Sequence, residues 1–403
     1  MSNSTPEAPW LHVVGIGEDG MDGLSPAARV LVEAAEVIIG GDRHHGLSPD
    51  VTAERIAWPS PFDAMIETMR AQRGKRVVVL VTGDPLWYSV GARILRAIPA
   101  EEIVFHPQLS AFQWACARLG WSLADATTVT AHGRPPEQVT PYFAPEARLL
   151  ILTKDRTTPN EIARLLVERG YGPSRMTVLG ALGGPRESRV DGVAESWDAE
   201  APDFHLLAVD CVAGERPVLA RGPGLPDEAF RHDGKMTKQE VRAVSLAKLW
   251  PRRKALLWDV GSGCGSVAIE WMRAARDAEA IGIEPDADRR LMAADNALAL
   301  GAPRLTLIEG RAPEALDGLP APDAVFIGGG LSEPVFEACW AAMKPQGRLV
   351  ANAVTLESEA LLIDLHGRYG GELIKLSVAR ADPVGAYRGW RPLMPVTQWS
   401  LTK

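Results

Sequence analysis

Residues Trp258–Glu270 read WDVGSGCGSVAIE. An apolar run of strand length, ALLWDV, ends in Asp259-Val260. Gly261, Gly263 and Gly265 follow at alternate positions, and a helical apolar pattern begins at about Val267. Glycines in this place let the backbone turn tightly and let a ligand lie directly against it. The spacing G-x-G-x-G is one residue shorter than the dinucleotide-binding form. The next strand-like run, AIGIE, ends in Glu284, nineteen residues after Gly265. A carboxylate at that distance can accept both ribose hydroxyls of an adenosine. A third run, RLTLIEG, leads into EGRAP at Glu309–Pro313, placed to edge an adenine ring.

Working outward, strand-like and helical runs keep alternating, so the segment lies within an α/β unit. Upstream, TKQEVRAVSLAKLW is helical, and Thr237 stands three residues before Glu240, the spacing of a capping box. Thr237 could therefore serve the helix, a ligand, or both. Downstream, DAVFIGGG and GRLVANAV are further strands. The stretch Ala213–Phe230, AGERPVLARGPGLPDEAF, is rich in Gly and Pro and reads as a linker. Two domains are expected, 1–213 and 214–403.

A second glycine cluster opens the chain. His12–Gly20 reads HVVGIGEDG, with Gly15, Gly17 and Gly20 in G-x-G-x-x-G order. Alone, this spacing suggests an NAD(P)-dependent oxidoreductase. The helix, however, is displaced. MDGL intervenes, and Ser25-Pro26 supplies the N-cap and first helical residue. A pyrophosphate needs the helix N-terminus directly after the glycines. Asp42 lies at a tempting distance, but GGDRHHG reads as a loop with His44 and His45 solvated.

The rest of the first half is also α/β, with strands EVIIGG, RVVVLVTGD, EIVFHP, ARLLILT, MTVLGALGG and HLLAVDCV. Gly83-Asp84-Pro85 end one strand, Ser110-Ala111 open a helix, and VTAHGRP carries an exposed-looking His132-Gly133-Arg134. Singly, Asp84 could start a turn and Ser110 could cap a helix. Their combination points to a site.

Composition narrows the function. The chain has 403 residues, 46% hydrophobic and 23% charged, with a net charge of −8. That balance argues against nucleic-acid binding, which rests on neutralising phosphates. An RNA methyltransferase with an accessory domain is thereby disfavoured. Met1–Pro9 is polar and does not read as a signal peptide. No run approaches the length of a membrane span. Cys116, Cys211, Cys264 and Cys339 are far apart, without a C-x-x-C pair, so neither metal nor disulfide is expected and a cytoplasmic setting fits.

The motifs VTGDPLWYSVG, HPQLSAFQWACARLG, VTAHGRP, LTKDRTTPNEIARLL and LGALGGPRE resemble the tetrapyrrole (corrin and porphyrin) methylase family, in the branch acting on carbon 5 of precorrins. The resemblance implies a two-lobed class III methyltransferase whose S-adenosylmethionine contacts Gly83, Asp84, Pro85, Ser110, Ala111 and Leu182. It gives the first glycine loop (Gly15, Gly17, Gly20), with His132 and Arg134, to a tetrapyrrole. The family usually has Pro where this chain has Glu18, so no cofactor contact is carried to Glu18.

The second half resembles Rossmann-like class I methyltransferases, in particular the precorrin methyltransferases acting on carbon 15, through LPDEAF, MTKQEVR and WDVGSGCGS. This implies cofactor contacts at Thr237, Gly261, Ser262, Gly263, Cys264, Gly265, Glu284 and Ala312. Amine methyltransferases of this class usually carry D/N-P-P-Y/F/W after strand four. Ile327-Gly328-Gly329-Gly330 stands there instead, which favours carbon methylation. Together the resemblances imply two S-adenosylmethionine sites, methylation at carbons 5 and 15 of a precorrin, and loss of carbon dioxide from the ring C acetate, in aerobic cobalamin biosynthesis. They also imply a homo-oligomer. Basic residues are expected at both rims, with Arg134, Lys238 and Arg311 as candidates. No residue is assigned as general acid or base.

Overall fold

The structure, a computed structural model, describes residues 9–403; the polar stretch that opens the chain lies outside them up to residue 8. The chain divides into two compact units. One runs to Pro136 and resumes over Pro145–Arg216; the other comprises Glu137–Ala144 and Pro217–Lys403. Within the second unit, the Arg221 guanidinium lies 4.5 Å over the Tyr142 ring, and Pro141 fills the space beside Gly301.

The first unit contains two sheets. Strands β1 (Leu11–Ile16), β2 (Val37–Gly40), β3 (Glu54–Ala57), β4 (Val77–Thr82) and β5 (Ile103–His106) form a parallel sheet in the order β3-β2-β4-β1-β5. A parallel sheet is covered on both faces, which is why these strands are nearly continuous apolar runs. Val13, Ile39 and Val79 face one core, and Val14, Ile38 and Val78 the other. The helix Pro26–Glu33 covers the second face, and the Ser25 hydroxyl accepts from the Ala28 N–H at 3.2 Å, as the sequence predicts. The second sheet takes β6 (Ala126–Thr130), β7 (Arg148–Leu152), β8 (Arg175–Gly180), β9 (Ser188–Val193) and β10 (His205–Asp210) in the order β6-β7-β10-β8-β9. Only β6 and β7 pair in parallel.

The second unit is a seven-stranded sheet of β11 (Leu256–Val260), β12 (Glu279–Ile283), β13 (Thr306–Ile308), β14 (Ala324–Ile327), β15 (Arg348–Ala353), β16 (Glu372–Leu376) and β19 (Val396–Thr402). Between the last two, β17 (Ala379–Val384) and β18 (Tyr387–Pro392) form a separate hairpin. The order is β13-β12-β11-β14-β15-β19-β16, with β19 antiparallel to both neighbours. Strand order reverses between β11 and β14, and ligands of open α/β sheets bind in that crevice.

Two expectations need correction. GGDRHHG is not a loop: Asp42–Gly46 is a short helix, because the His44 Nδ1 accepts the Gly41 N–H at 3.1 Å and closes its first turn. Thr237 and Glu240 do not form a capping box, since the helix spans Gln239–Leu249 with Lys238 at its N-cap. Glu240 is instead taken by Arg380, at 2.8 and 3.1 Å. A charge-assisted pair of this kind outcompetes a neutral backbone donor. The Thr237 carbonyl accepts from buried Arg242 at 2.6 Å.

Candidate functional site

The second unit builds its site at the sheet reversal. Gly261, Gly263 and Gly265 all have positive φ. A Cβ on Gly261 would meet the Gly329 backbone at 2.9–3.1 Å, so that glycine is required by packing. A Cβ on Gly263 would find only the Lys235 carbonyl oxygen, at 3.7 Å, so its face is open to a ligand. Glu284 directly follows β12 and is buried, and its carboxylate accepts the Gly263 N–H at 2.8 Å and the Asp286 N–H at 3.1 Å. An ionised carboxylate offers about four acceptor positions. Two therefore remain for the ribose hydroxyls of an adenosyl group.

Beside it, Asp259 is fully buried and accepts the Ala268 N–H at 3.1 Å. Burial pushes its carboxyl up to about 7, and the charge of Glu284 acts in the same direction. Ser262 and Cys264 are buried, the Ser262 hydroxyl has no hydrogen-bond partner among the described residues, and the Cys264 carbonyl accepts from Asn296 at 3.0 Å.

Asp259, Gly261, Ser262, Gly263, Cys264 and Glu284 line a cavity of about 1010 Å³, the upper end of what ligand pockets occupy, whereas Gly265 packs against Ala293, Ile269 and Leu305 and does not line it. Thr237, Gly310, Arg311 and Ala312 line it, as do Gly328, Gly329 and Gly330 after β14. Six basic residues line it, of which Arg289 pairs with Asp233, Arg380 with Glu240 and Asp227, and Arg391 with Asp382, so that Lys235, Lys238 and Arg311 are the cations without an ion pair among the described residues. In a chain of net charge −8, this is a local concentration of positive charge. Sequence reasoning named Lys238 and Arg311 but missed the far wall, where Arg380, Asp382, Arg391 and Met394 come from the hairpin and its flank. The turn signal in Asp382-Pro383-Val384-Gly385, with Gly385 at positive φ, marks that hairpin in the sequence.

In the first unit, the loop after β4 and the start of the helix Ala111–Leu119 come together. Gly83 has φ +62°, and a Cβ there would meet the Ser110 Cα at 2.8 Å. Asp84 accepts the Leu86 N–H at 2.7 Å, so it does make a turn. Ser110 does cap its helix: its hydroxyl accepts from the Phe112 N–H at 3.3 Å, and Gln113 accepts the Ser110 N–H at 2.9 Å. Leu182 packs in the core with Phe112 and Ala115. Leu86, Trp87 and Leu109 remain exposed around this loop.

The first glycine loop is used mostly for packing. Gly15 is buried, and any Cβ on it would collide with the Gly83 carbonyl oxygen. Gly20 is buried against the Leu47 carbonyl, whereas Gly17 is half-buried. A 3-10 turn, Gly20–Gly23, follows these glycines where a dinucleotide would need a helix. His132 and Arg134 are exposed, and the His132 Nδ1 lies 3.3 Å from the Thr153 carbonyl. The Tyr88 hydroxyl donates to the Thr128 carbonyl at 2.8 Å, tying the β4 loop to the strand that His132 follows.

His44 is not solvated. Its Nε2 lies 3.1 Å from the Thr82 hydroxyl, and burial, with Arg43 and His45 adding, lowers the imidazole to about 4.

Residues 10–197 match the tetrapyrrole (corrin/porphyrin) methylases and residues 228–403 match a precorrin methyltransferase domain. A Sinorhizobium sp. protein named precorrin-6Y C(5,15)-methyltransferase [decarboxylating] is 47% identical, over 100% of this chain and 99% of its own length. A Salmonella typhimurium protein named cobalt-precorrin-7 C(5)-methyltransferase is 36% identical over 42% of this chain and 83% of its own. The solved C-terminal domain of precorrin-6Y C5,15-methyltransferase from Rhodobacter capsulatus is 48% identical, covering 46% of this chain and all of its own, with a TM-score of 0.44. Among the described residues, no helix is long and apolar enough to cross a membrane, and no group of three or more His, Cys, Asp or Glu could hold a metal ion.

Proposed function

The chain belongs to the decarboxylating precorrin-6Y C(5,15)-methyltransferase family, and on that footing we propose that it methylates its precorrin at carbons 5 and 15 from two separate S-adenosylmethionine sites. The first unit serves carbon 5. The second serves carbon 15 and the loss of carbon dioxide from the ring C acetate, and the product is precorrin-8. The observation that carries this reading for the second unit is the cavity at the sheet reversal, with Lys235, Lys238 and Arg311 in its lining and not ion-paired among the described residues of an acidic protein. It suits a substrate bearing several carboxylates beside a nucleoside.

S-adenosylmethionine supplies a sulfonium methyl, a strong electrophile. The protein residues bind and orient. Glu284 has acceptor positions left for a ribose, and the open face of Gly263 admits close backbone approach. The enamine-like meso carbons of a reduced tetrapyrrole are already nucleophilic, so transfer needs alignment and exclusion of water more than a strong base. In the decarboxylation, the bond between the acetate methylene and its carboxylate carbon breaks, carbon dioxide leaves, and the electron pair passes into a protonated imine of the macrocycle, giving an enamine whose exocyclic carbon then takes up a proton to leave a methyl. Thr237, Ser262, Cys264 and Ala312 border the second cofactor position, and Gly83, Asp84, Pro85, Ser110, Ala111 and Leu182 the first. Gly17, His132 and Arg134 are the residues of the earlier substrate set that keep exposed surface in the first unit. A cytoplasmic homo-oligomer completes the reading.

Product mass tests it: the full chain should add two methyls and remove one carbon dioxide from the precorrin. Tight NAD(P) binding without S-adenosylmethionine binding would overturn it.

A further inference from the structure

The first unit holds a cluster that neither the family matches nor the relatives' names assign. Glu18, just after β1, is a buried carboxylate whose side chain is only 6% exposed. It is ion-paired to Arg43 and lies 3.7 Å from Arg186. Arg43 also donates to the Thr82 hydroxyl and lies 4.0 Å over the Phe204 ring. Arg43 is therefore fixed on three sides.

Arg186 is different: its side chain is 82% exposed, and among the described residues Glu18 is its one ion-pair partner. Two guanidinium groups converge on one carboxylate, leaving a net positive charge at the exposed edge. Burial, with the like charge of Arg186 adding to it, lowers the Arg43 guanidinium to about 10.

Contacts connect this cluster to the residues proposed for the first cofactor. Thr82 directly precedes Gly83, and Gly83 abuts Ser110. The helix after Ser110 carries Trp114, whose ring meets Gly183 next to Leu182. Gly184 then packs on Glu18, which returns to Arg43 and Thr82. The circuit passes through the residues proposed for the first cofactor and closes on the two arginines.

We infer that Arg43 and Arg186, held as a pair by Glu18, form a carboxylate-recognising corner of the first site, with Arg186 as the residue that reads a side-chain carboxylate of the macrocycle. Arg43 and Glu18 are positioning residues. This rests on reading the first unit as the carbon-5 methylase. A planar guanidinium with outward donors matches a carboxylate bidentately, which a lysine cannot do.

Arg186 is exposed, so its variants should fold, and the second unit supplies an internal control. In the full chain, Arg186→Ala should raise KM for the precorrin in carbon-5 methylation roughly tenfold, the loss of one charge-assisted hydrogen bond. Its kcat, its S-adenosylmethionine affinity, and the carbon-15 methylation with decarboxylation should hold. Arg186→Lys should recover part of the KM, and Arg164→Ala, an exposed arginine elsewhere in the same unit, should leave it unchanged. An unchanged KM in Arg186→Ala, or an equal rise in Arg164→Ala, would overturn the inference.

Binding of uroporphyrin against its octamethyl ester gives a readout without turnover. Arg186→Ala should weaken the acid and spare the ester, and equal affinity for the acid in variant and parent would refute the corner. If the parent chain adds no methyl at carbon 5, the carbon-5 reading fails, while the acid-versus-ester difference still decides the role of Arg186.

Discussion

The two units each end a central parallel strand in closely spaced glycines, yet use them differently. In the first, Gly15 is glycine because the Gly83 carbonyl occupies the space where its Cβ would be. In the second, Gly263 is glycine with open space in front of it. The first is an internal packing joint, and the second keeps backbone accessible to a ligand. A glycine motif records that something approaches the backbone closely. It does not record whether that something is the protein itself.

The sharpest way to break this contrast is a pair of alanines. Gly15→Ala forces the β4 loop off β1 and should abolish carbon-5 methylation in the full chain, while carbon-15 methylation and decarboxylation persist. Product mass would show one methyl gained and one carbon dioxide lost. Gly263→Ala should cost stability only about 1 kcal/mol, the strain of a positive φ. It should abolish the carbon-15 step and leave thermal unfolding nearly in place. If both variants lose only stability, or both lose only activity, the distinction fails.

A smaller effect is expected from Glu284→Gln, which keeps an acceptor but removes the charge. S-adenosylmethionine should bind the second site about 10- to 100-fold more weakly, with the first site unaffected, as calorimetric titration would resolve. Arg380 tests the wall that came from the hairpin. Its guanidinium joins Glu240 at 2.8 Å and buried Asp227 at 3.0 Å. Since Arg380 and Glu240 are partly solvated, Arg380→Ala should lower stability by about 1–2 kcal/mol in denaturant unfolding. It should also raise the precorrin KM of the carbon-15 step a few-fold.

The two units should also respond oppositely to pH. Half-buried His44 is lowered from 6.5 to about 4, so the unfolded chain takes up a proton that the folded one refuses. Its contribution is whole above pH 6.5 and is lost as pH falls toward 4. Asp259 is raised from 3.8 to about 7, so the folded chain retains a proton that the unfolded one gives up. That contribution is whole below about pH 3.8 and is lost as pH rises to about 7. His44→Gln should flatten the acid limb of the melting temperature against pH, and Asp259→Asn the limb between about pH 4 and 7. Unchanged slopes in both variants would show that neither group is coupled to folding.

Much of this was legible in the chain. Parallel strands buried on both faces are written as apolar runs, so VIIG and VVVLVT were plain. Ser25 and Ser110 could be read as caps because the relevant interaction is local. The edge strands β3 and β9 were not legible, because ERIA and SRVDGV face solvent and carry little apolar pattern. The Thr237–Glu240 box failed because a distant partner, Arg380, took the carboxylate. The hairpin wall of the cavity was missed because its role depends on where β16 and β19 place it.

The sequence by itself determined two α/β units, their order, and the loops that carry their glycines. Those follow from short-range rules: periodicity, capping and turn chemistry. Only the tertiary structure decided which glycines face a ligand, which carboxylates still have acceptor positions, and which arginines converge. The physical reason is that each depends on atoms far apart in the chain meeting in space. The Glu18 carboxylate, set between Arg43 and Arg186, exists as a group only once β1, the Asp42–Gly46 helix and the loop after β8 have packed together.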